Sequence, residues 1–293
     1  MSWRQIKDRI AGKSMLLAVA FANSIVLLIA FGLFIKSMPI LTKKSIFELL
    51  LSSSWHPLKG EYGFYPFIVG TLEVTAIAMI LAVPVCLLSS IYLSEYAHHR
   101  FRDLARVVID IMAAIPSVIY GLWGVIVIVP FVSTLGKSLG TPTTGYSLLA
   151  GGIILAIMVS PIIISVSVEV LRTVPFQARE TALALGTTKW EAIKHVVLKS
   201  ALHGILSAIV LGFARAFGET IAVLMIVGNV PKVPRSIFDP AYPLPALLAN
   251  NYGEMMSIPL YNSALLLSAL ILLLVVSVFN ITAHITLMRI ERR

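Results

Sequence analysis

The sequence is short of charge. Asp, Glu, Lys and Arg make up 13% of its 293 residues, about half the ~25% usual in soluble domains. A water-soluble fold of this size needs a far more polar surface, so that class is excluded. Disorder is excluded from the other side, because 58% of the residues are hydrophobic and disordered chains are poor in apolar residues. Acidic residues are scarcer than basic ones, 14 against 23. The basic residues nevertheless form short clusters between apolar stretches, not a stripe interleaved with aromatics, so no nucleic-acid partner is expected. Cysteine is almost missing. Cys86 stands alone, which excludes an intrachain disulfide and a cysteine-built metal site; within its apolar segment it reads as a packing residue. The six histidines have no metal-ligand spacing, and no metal site is expected.

What the chain has instead is long apolar runs. About 20 apolar residues cross the ~30 Å hydrocarbon core of a bilayer as a helix. Such runs cover 14–35, 74–94, 111–136, 148–170, 203–228 and 262–288. The first is longer than the apolar region of a cleaved signal peptide and lacks its small-residue exit, so it reads as a retained helix. The expected fold class is an all-α polytopic membrane protein with six transmembrane helices in the lipid bilayer. Lys and Arg favour the segments on the N-terminal side of the bilayer by about two to one, which places both termini in the cytoplasm. The positive net charge therefore reports topology.

Two stretches come near a phosphate-binding loop. Phe131-Val-Ser-Thr-Leu-Gly-Lys-Ser138 has Phe131 at the first glycine position, and Gly140-Thr-Pro-Thr-Thr-Gly-Tyr-Ser147 has Tyr146 at the lysine position. The motif works only between a strand and a helix, where backbone amides converge on phosphate. Both stretches fall in an outer loop, so the chain is expected not to hydrolyse ATP and not to be an enzyme.

Segment 172–199 predicts a helical hairpin. Pro175 suits a first helical position, where its missing N–H would be unpaired anyway. Good helix formers run on to Gly186, a helix stop. Thr188-Lys-Trp-Glu191 is a capping box that starts a second helix. Two short helices joined at Gly186 are expected, with Ala182 and Leu185 forming a small apolar face that another protein can cover. The same pattern also fits a surface hairpin lying along the bilayer, held by Trp190 and its basic neighbours. Glu180-Thr-Ala, three residues, Gly186, nine residues, then Val196-x-Leu198 resembles the EAA loop of ABC importer permeases. Thr181, Val196 and Lys199 depart from the family pattern, the last standing where the family has proline. The resemblance implies a coupling helix, seated in a groove of an ATPase subunit, with Glu180, Ala182 and Gly186 as its coupling residues.

The fifth run alone carries charges deep inside. Arg215 and Glu219 are four residues apart, which in one continuous helix puts both on one face. Arginine at mid-bilayer costs on the order of 2.5–3.5 kcal/mol by insertion scales, and it does not escape by losing its proton. The pair reads either as a self-neutralising structural tie or as a polar lane whose guanidinium fork suits an oxyanion. Gly212 and Gly218 would let neighbouring helices approach closely. Arg215-Ala-Phe-Gly-Glu-Thr-Ile-Ala-Val223 with Val227-Gly-Asn229 resembles the permeases of phosphate-specific ABC importers, nearest the PstC type. So do Ala113–Gly124, Trp55-His-Pro57 and Pro245–Glu254. The similarity runs from about Trp55 to the end.

That resemblance implies a type I ABC importer permease fold and translocation of inorganic phosphate, with Arg215 and Glu219 in the substrate pathway. With the spans read above, the chain divides into a segment 1–66 with the first helix and an extracytoplasmic stretch. A transmembrane domain 67–288 holds the cytoplasmic coupling loop 172–199, and 289–293 form a cytoplasmic tail. The resemblance also implies partners: a homologous, PstA-like second permease, two ATPase subunits and an extracytoplasmic phosphate-binding protein. This chain would hold no cofactor, ATP and Mg belonging to the ATPase subunits. A sulfate or molybdate permease stays open from the residues, as does an ion-gradient-driven secondary carrier. Glu219 is expected to accept the O–H that phosphate retains near neutral pH and sulfate lacks. Glu73 reads as a solvated rim residue, and Asp110 as the helix-spaced partner of Arg106. The outer segments 37–65 and 229–261 read as loops that either receive a substrate-binding protein or anchor at the interface through their aromatics.

Overall fold

The computed structural model describes residues 3–253 and 257–291. Glu254 and the tail residues Arg292 and Arg293 lie outside them. Among the described residues, 6 helices are long and apolar enough to cross a membrane: Ile10–Leu41, Tyr65–Tyr96, Ser117–Ser138, Leu148–Thr173, Lys189–Gly218 and Pro259–Thr286. Each of the six expected runs is largely helical, and where the bounds differ a local cause is visible.

Helix α1 (Trp3–Leu41) is followed by the short α2 (Ile46–Leu51) and a two-stranded hairpin, β1 (Trp55–His56) and β2 (Glu61–Tyr62). The outer stretch read as a loop is thus a folded cap. Trp55 packs on Tyr62, Phe64, Phe67 and Tyr261 with ring centroids 4.8 to 5.9 Å apart, the separation at which aromatic pairs attract. Helix α3 (Tyr65–Ile91) then crosses the bundle and loosens into a π-helical turn, Tyr92–Tyr96. Cys86 is buried in it, as expected of a packing residue.

The third crossing starts later than the uncharged run suggests. Residues 111–114 belong to a separate helix, α4 (His99–Ala114), and the crossing consists of α5 (Ser117–Trp123), a π turn Gly124–Ile128 and α6 (Val129–Ser138). Pro116 lacks an N–H and crowds its predecessor out of the helical region, and Ile115 is accordingly extended at ψ 126. The Tyr120 hydroxyl reaches back across the break and donates to the Met112 carbonyl at 2.9 Å. Phe131–Ser138 lies wholly within α6 and is not a loop. Gly140–Ser147 is a turn entering α7 (Leu148–Thr173), with Gly140 and Gly145 at positive φ. Neither candidate phosphate loop follows a strand.

Helix α7 is central, packed between α3 and a long fifth crossing. Its start is fixed by Ser147, whose hydroxyl accepts from the Ala150 N–H at 3.2 Å. After α7 come α8 (Phe176–Ala184), α9 (Lys189–Ala192), a π turn Ile193–Val197 and α10 (Leu198–Gly218). The last three form one continuous rod, so the second arm of the hairpin is not a short helix. Lys199 keeps the N–H that a proline would lose, and the helix runs through it into the membrane. Gly212 lets α10 press against Ile163, where a Cβ would come within 2.6 Å of that side chain. Gly218 has nothing within 4 Å and serves instead at the end of α10. Helix α11 (Ile221–Ile226) completes the crossing. Of the outer stretch 229–261, α12 (Leu244–Asn251) is built into the core, and the Leu244 N–H donates to the buried Thr71 hydroxyl at 2.9 Å. Helix α13 (Pro259–Glu291) closes the bundle against α1.

Candidate functional site

Arg215 and Glu219 do not share a helix face. Helix α10 stops at Gly218, and Glu219 is extended (φ −73, ψ 127). Its Oε1 accepts from the Thr220 N–H at 3.2 Å and, more weakly, from the Ala222 N–H at 3.5 Å, so it caps α11. Glycine has low helix propensity, and a carboxylate competing for nearby backbone donors favours a new helix start. Among the described residues Arg215 and Glu219 form no ion pair. The self-neutralising tie is therefore corrected: proximity in sequence does not make this a pair.

The break lies well inside the bundle. Gly212 meets Ile163 and Gly151 meets Val227, so residues 215–220 sit level with the middle of α7. Arg215 is exposed on this chain, Glu219 is half-buried, and the guanidinium lies close enough to Tyr120 on α5 to act on it electrostatically. A cation on an open face at mid-depth would be costly against lipid. That face therefore borders water or another polypeptide.

The second assembly is the hairpin. The Thr188 hydroxyl accepts from the Glu191 N–H at 3.3 Å, and Glu191 Oε2 accepts from the Thr188 N–H at 2.8 Å, the reciprocal box expected. Gly186 adopts φ +87 and turns the chain between the arms, as expected of a left-handed helix stop. Pro175 stands one residue before the first helical position, at the N-cap. Glu180 and Gly186 are exposed, but Ala182 is buried, its carbonyl accepting from the Thr187 hydroxyl at 2.8 Å. The coverable apolar face is corrected accordingly: Ala182 faces inward, and Phe176, Leu183 and Leu185 are outside.

Sequence reading missed Glu95. It pairs with Arg179 at 2.8 Å, with the two side chains only 8% and 18% exposed. Arg179 also donates to the carbonyls of Leu171, at 2.8 Å, and Val174. The available signal was a lone acid just before the basic cluster Arg100, Arg102 and Arg106. Tyr120 carried no signal beyond its place in a resembling stretch. Glu73 is not fully solvated: its Oε2 is buried with no partner among the described atoms. Asp110 and Arg106 form no ion pair, and both line a cavity of about 290 Å³ with Arg102, Glu169 and Arg172. No group of three or more His, Cys, Asp or Glu residues able to hold a metal occurs among the described residues.

A six-crossing bundle with a broken helix at mid-depth and a folded hairpin at one end defines a membrane transport subunit. The chain belongs to the binding-protein-dependent transport system inner membrane component family, whose pattern matches residues 87–293. It is 37% identical over 257 residues to the phosphate transport system permease protein PstC of Xylella fastidiosa (strain 9a5c), covering 83% of this chain and 79% of that protein. It is 35% identical over 277 residues to the probable ABC transporter permease protein YqgH of Bacillus subtilis (strain 168), covering 93% and 88%. Among solved structures, a chain of a bacterial alginate ABC transporter in complex with a pentasaccharide-bound periplasmic protein superposes with TM-score 0.66. The match covers 98% of this chain and 97% of that one at 14% identity, a likeness of fold alone. The fold is that of a type I ABC importer permease, and the protein is a multi-pass cell-membrane protein.

Proposed function

We propose that this chain is the permease subunit of an ABC importer that carries inorganic phosphate into the cell. The observation that carries the reading is Arg215: a guanidinium at mid-depth, on an open face, with no ion-pair partner among the described residues. One chain supplies half of a polar lane, and a homologous PstA-like permease facing it supplies the other half. The lysine and arginine distribution supports cytoplasmic termini and a cytoplasmic α8 hairpin. The exposed Glu180, Phe176, Leu183 and Leu185 then form the surface on which an ATPase subunit docks, one on each permease. ATP and Mg belong to those two subunits, and this chain has no enzymatic role. An extracytoplasmic phosphate-binding protein delivers the anion at the opposite end.

Arg215 presents planar donors to the phosphate oxygens as the anion passes mid-depth. Glu219 Oε1 is taken by the α11 backbone, which leaves Oε2 to accept the remaining phosphate O–H. Sulfate offers no such donor and meets a bare carboxylate. The deciding experiment reconstitutes the chain with these partners in liposomes and follows ATP-dependent entry of phosphate, sulfate and molybdate side by side. Phosphate entry that needs ATP and survives an uncoupler supports the reading. Preference for another oxyanion, or entry that collapses with the ion gradient, overturns it.

A further inference from the structure

Four elements meet at the π turn Tyr92–Tyr96 that ends α3. From α8, Arg179 reaches Glu95 through two bonds of 2.8 and 3.2 Å. From α9, Lys189 donates to the Glu95 carbonyl at 2.6 Å and lies 4.4 Å over the Tyr96 ring. From α4, Arg102 donates to the carbonyls of Leu93, Ser94 and Ala97 at 2.9, 3.2 and 3.3 Å. A two-pronged guanidinium–carboxylate contact fixes orientation as well as distance, and burial limits its screening by salt. π turns inside helices recur at functional sites.

Chain connectivity carries any movement of the hairpin directly into α7 and α10. It offers no such short route to α3 and α4. Helix α4 leads past Pro116 into α5, where Tyr120 lies near Arg215 and Gly121 lies close against Ala222 of α11, a Cβ there falling 3.2 Å from its Cα. We propose that Glu95 is a positioning residue for energy coupling. It holds both arms of the hairpin to the π turn, and the turn, through Arg102, ties them to the α4–α5 arm beside Arg215. Movement of the docking surface is thereby delivered to the anion lane from a second side. This rests on the hairpin being the ATPase-docking element.

The test compares the parent transporter with Glu95→Gln, Glu95→Asp and Lys189→Ala variants, each reconstituted with its partner subunits, reading phosphate entry and ATP hydrolysis together. Glu95→Gln is expected to hydrolyse ATP at near the parent rate while phosphate moved per ATP falls about tenfold, the size of an ordinary coupling energy. Glu95→Asp keeps the charge and is expected to restore most of that ratio. Lys189 is exposed, so its removal leaves folding intact, and a loss of about fivefold, the low end of ordinary coupling energies, is expected. An unchanged phosphate-to-ATP ratio in Glu95→Gln or in Lys189→Ala overturns the proposal. A parent transporter that shows no ATP-driven phosphate entry overturns the functional reading itself, and the coupling role with it.

Discussion

Arg215 and Glu219 stand on opposite sides of a helix break, and the carboxylate bonds to the backbone of the following helix, not to the guanidinium. Each side chain is thereby separately available to a ligand. Glu219 has backbone partners in α11 and Arg215 has no ion-pair partner among the described residues, so their substitutions should give different phenotypes.

Arg215→Lys keeps the positive charge and removes the planar fork. Because Arg215 is exposed and forms no ion pair among the described residues, assembly should be unaffected. A charge-assisted hydrogen bond contributes about 1.5–3 kcal/mol, so phosphate entry should fall roughly 10- to 100-fold. Uptake of labelled phosphate in liposomes, normalised to assembled transporter, measures this.

Glu219→Gln retains an oxygen that can cap α11 and places an N–H donor where the second carboxylate oxygen stood. Phosphate should lose its acceptor and sulfate its repulsion. Competition by sulfate against phosphate uptake is expected to strengthen about tenfold, in line with one lost charged hydrogen bond. Unaltered discrimination would place anion selection in the external binding protein.

Gly212→Ala puts a methyl 2.6 Å from the Ile163 side chain, which is fully buried. Overpacking of this kind costs about 1–3 kcal/mol. The melting temperature of the purified chain should drop, and Ile163→Val in the same chain should recover part of the loss by making room.

Gly186→Ala meets no atom within 4 Å, yet Gly186 sits at φ +87, where an alanine Cβ is strained. A loss of about 1 kcal/mol, confined to the hairpin, is expected. Faster hydrogen exchange across α8 with an unchanged global melting temperature would show it.

Glu61 gives a pH dependence. Hydrogen bonds from Ser54 and then from His56 hold its carboxyl below the ordinary value of 4.5. A carboxyl lowered on folding contributes stability above its unfolded value and loses it as pH falls through the folded one. The β1–β2 cap should therefore loosen on acidification below about pH 4.5. The fluorescence of Trp55, isolated by comparison with Trp55→Phe, follows the change, and Glu61→Gln should flatten it.

Much of the architecture was legible because bilayer thickness writes itself into composition. Six apolar runs, the capping box at Thr188–Glu191 and the stop at Gly186 each rest on rules that act within a few residues. The third span was misplaced because hydropathy does not see Pro116, which divides α4 from α5 without adding a charge. The outer cap at Trp55–Tyr62 was read as a loop because the ring that closes over both strands, Tyr261, is distant in sequence.

The candidate site was legible in its residue types and not in its geometry. A four-residue spacing has helical meaning only if the helix persists, and Gly218 gave a warning too weak to outweigh the apolar run around it. Glu95 was invisible for a different reason. Its partner Arg179 lies 84 residues away, and no local pattern joins a span terminus to a later hairpin.

Membrane residence, the number of crossings and the presence of a cation at mid-depth were determined by the sequence alone, since hydrophobic transfer and helix capping are local quantities. Where that cation faces, what caps the broken helix and which helices the hairpin grips were decided only by tertiary packing. Those properties depend on which distant side chains exclude water together, and only the folded chain brings them together.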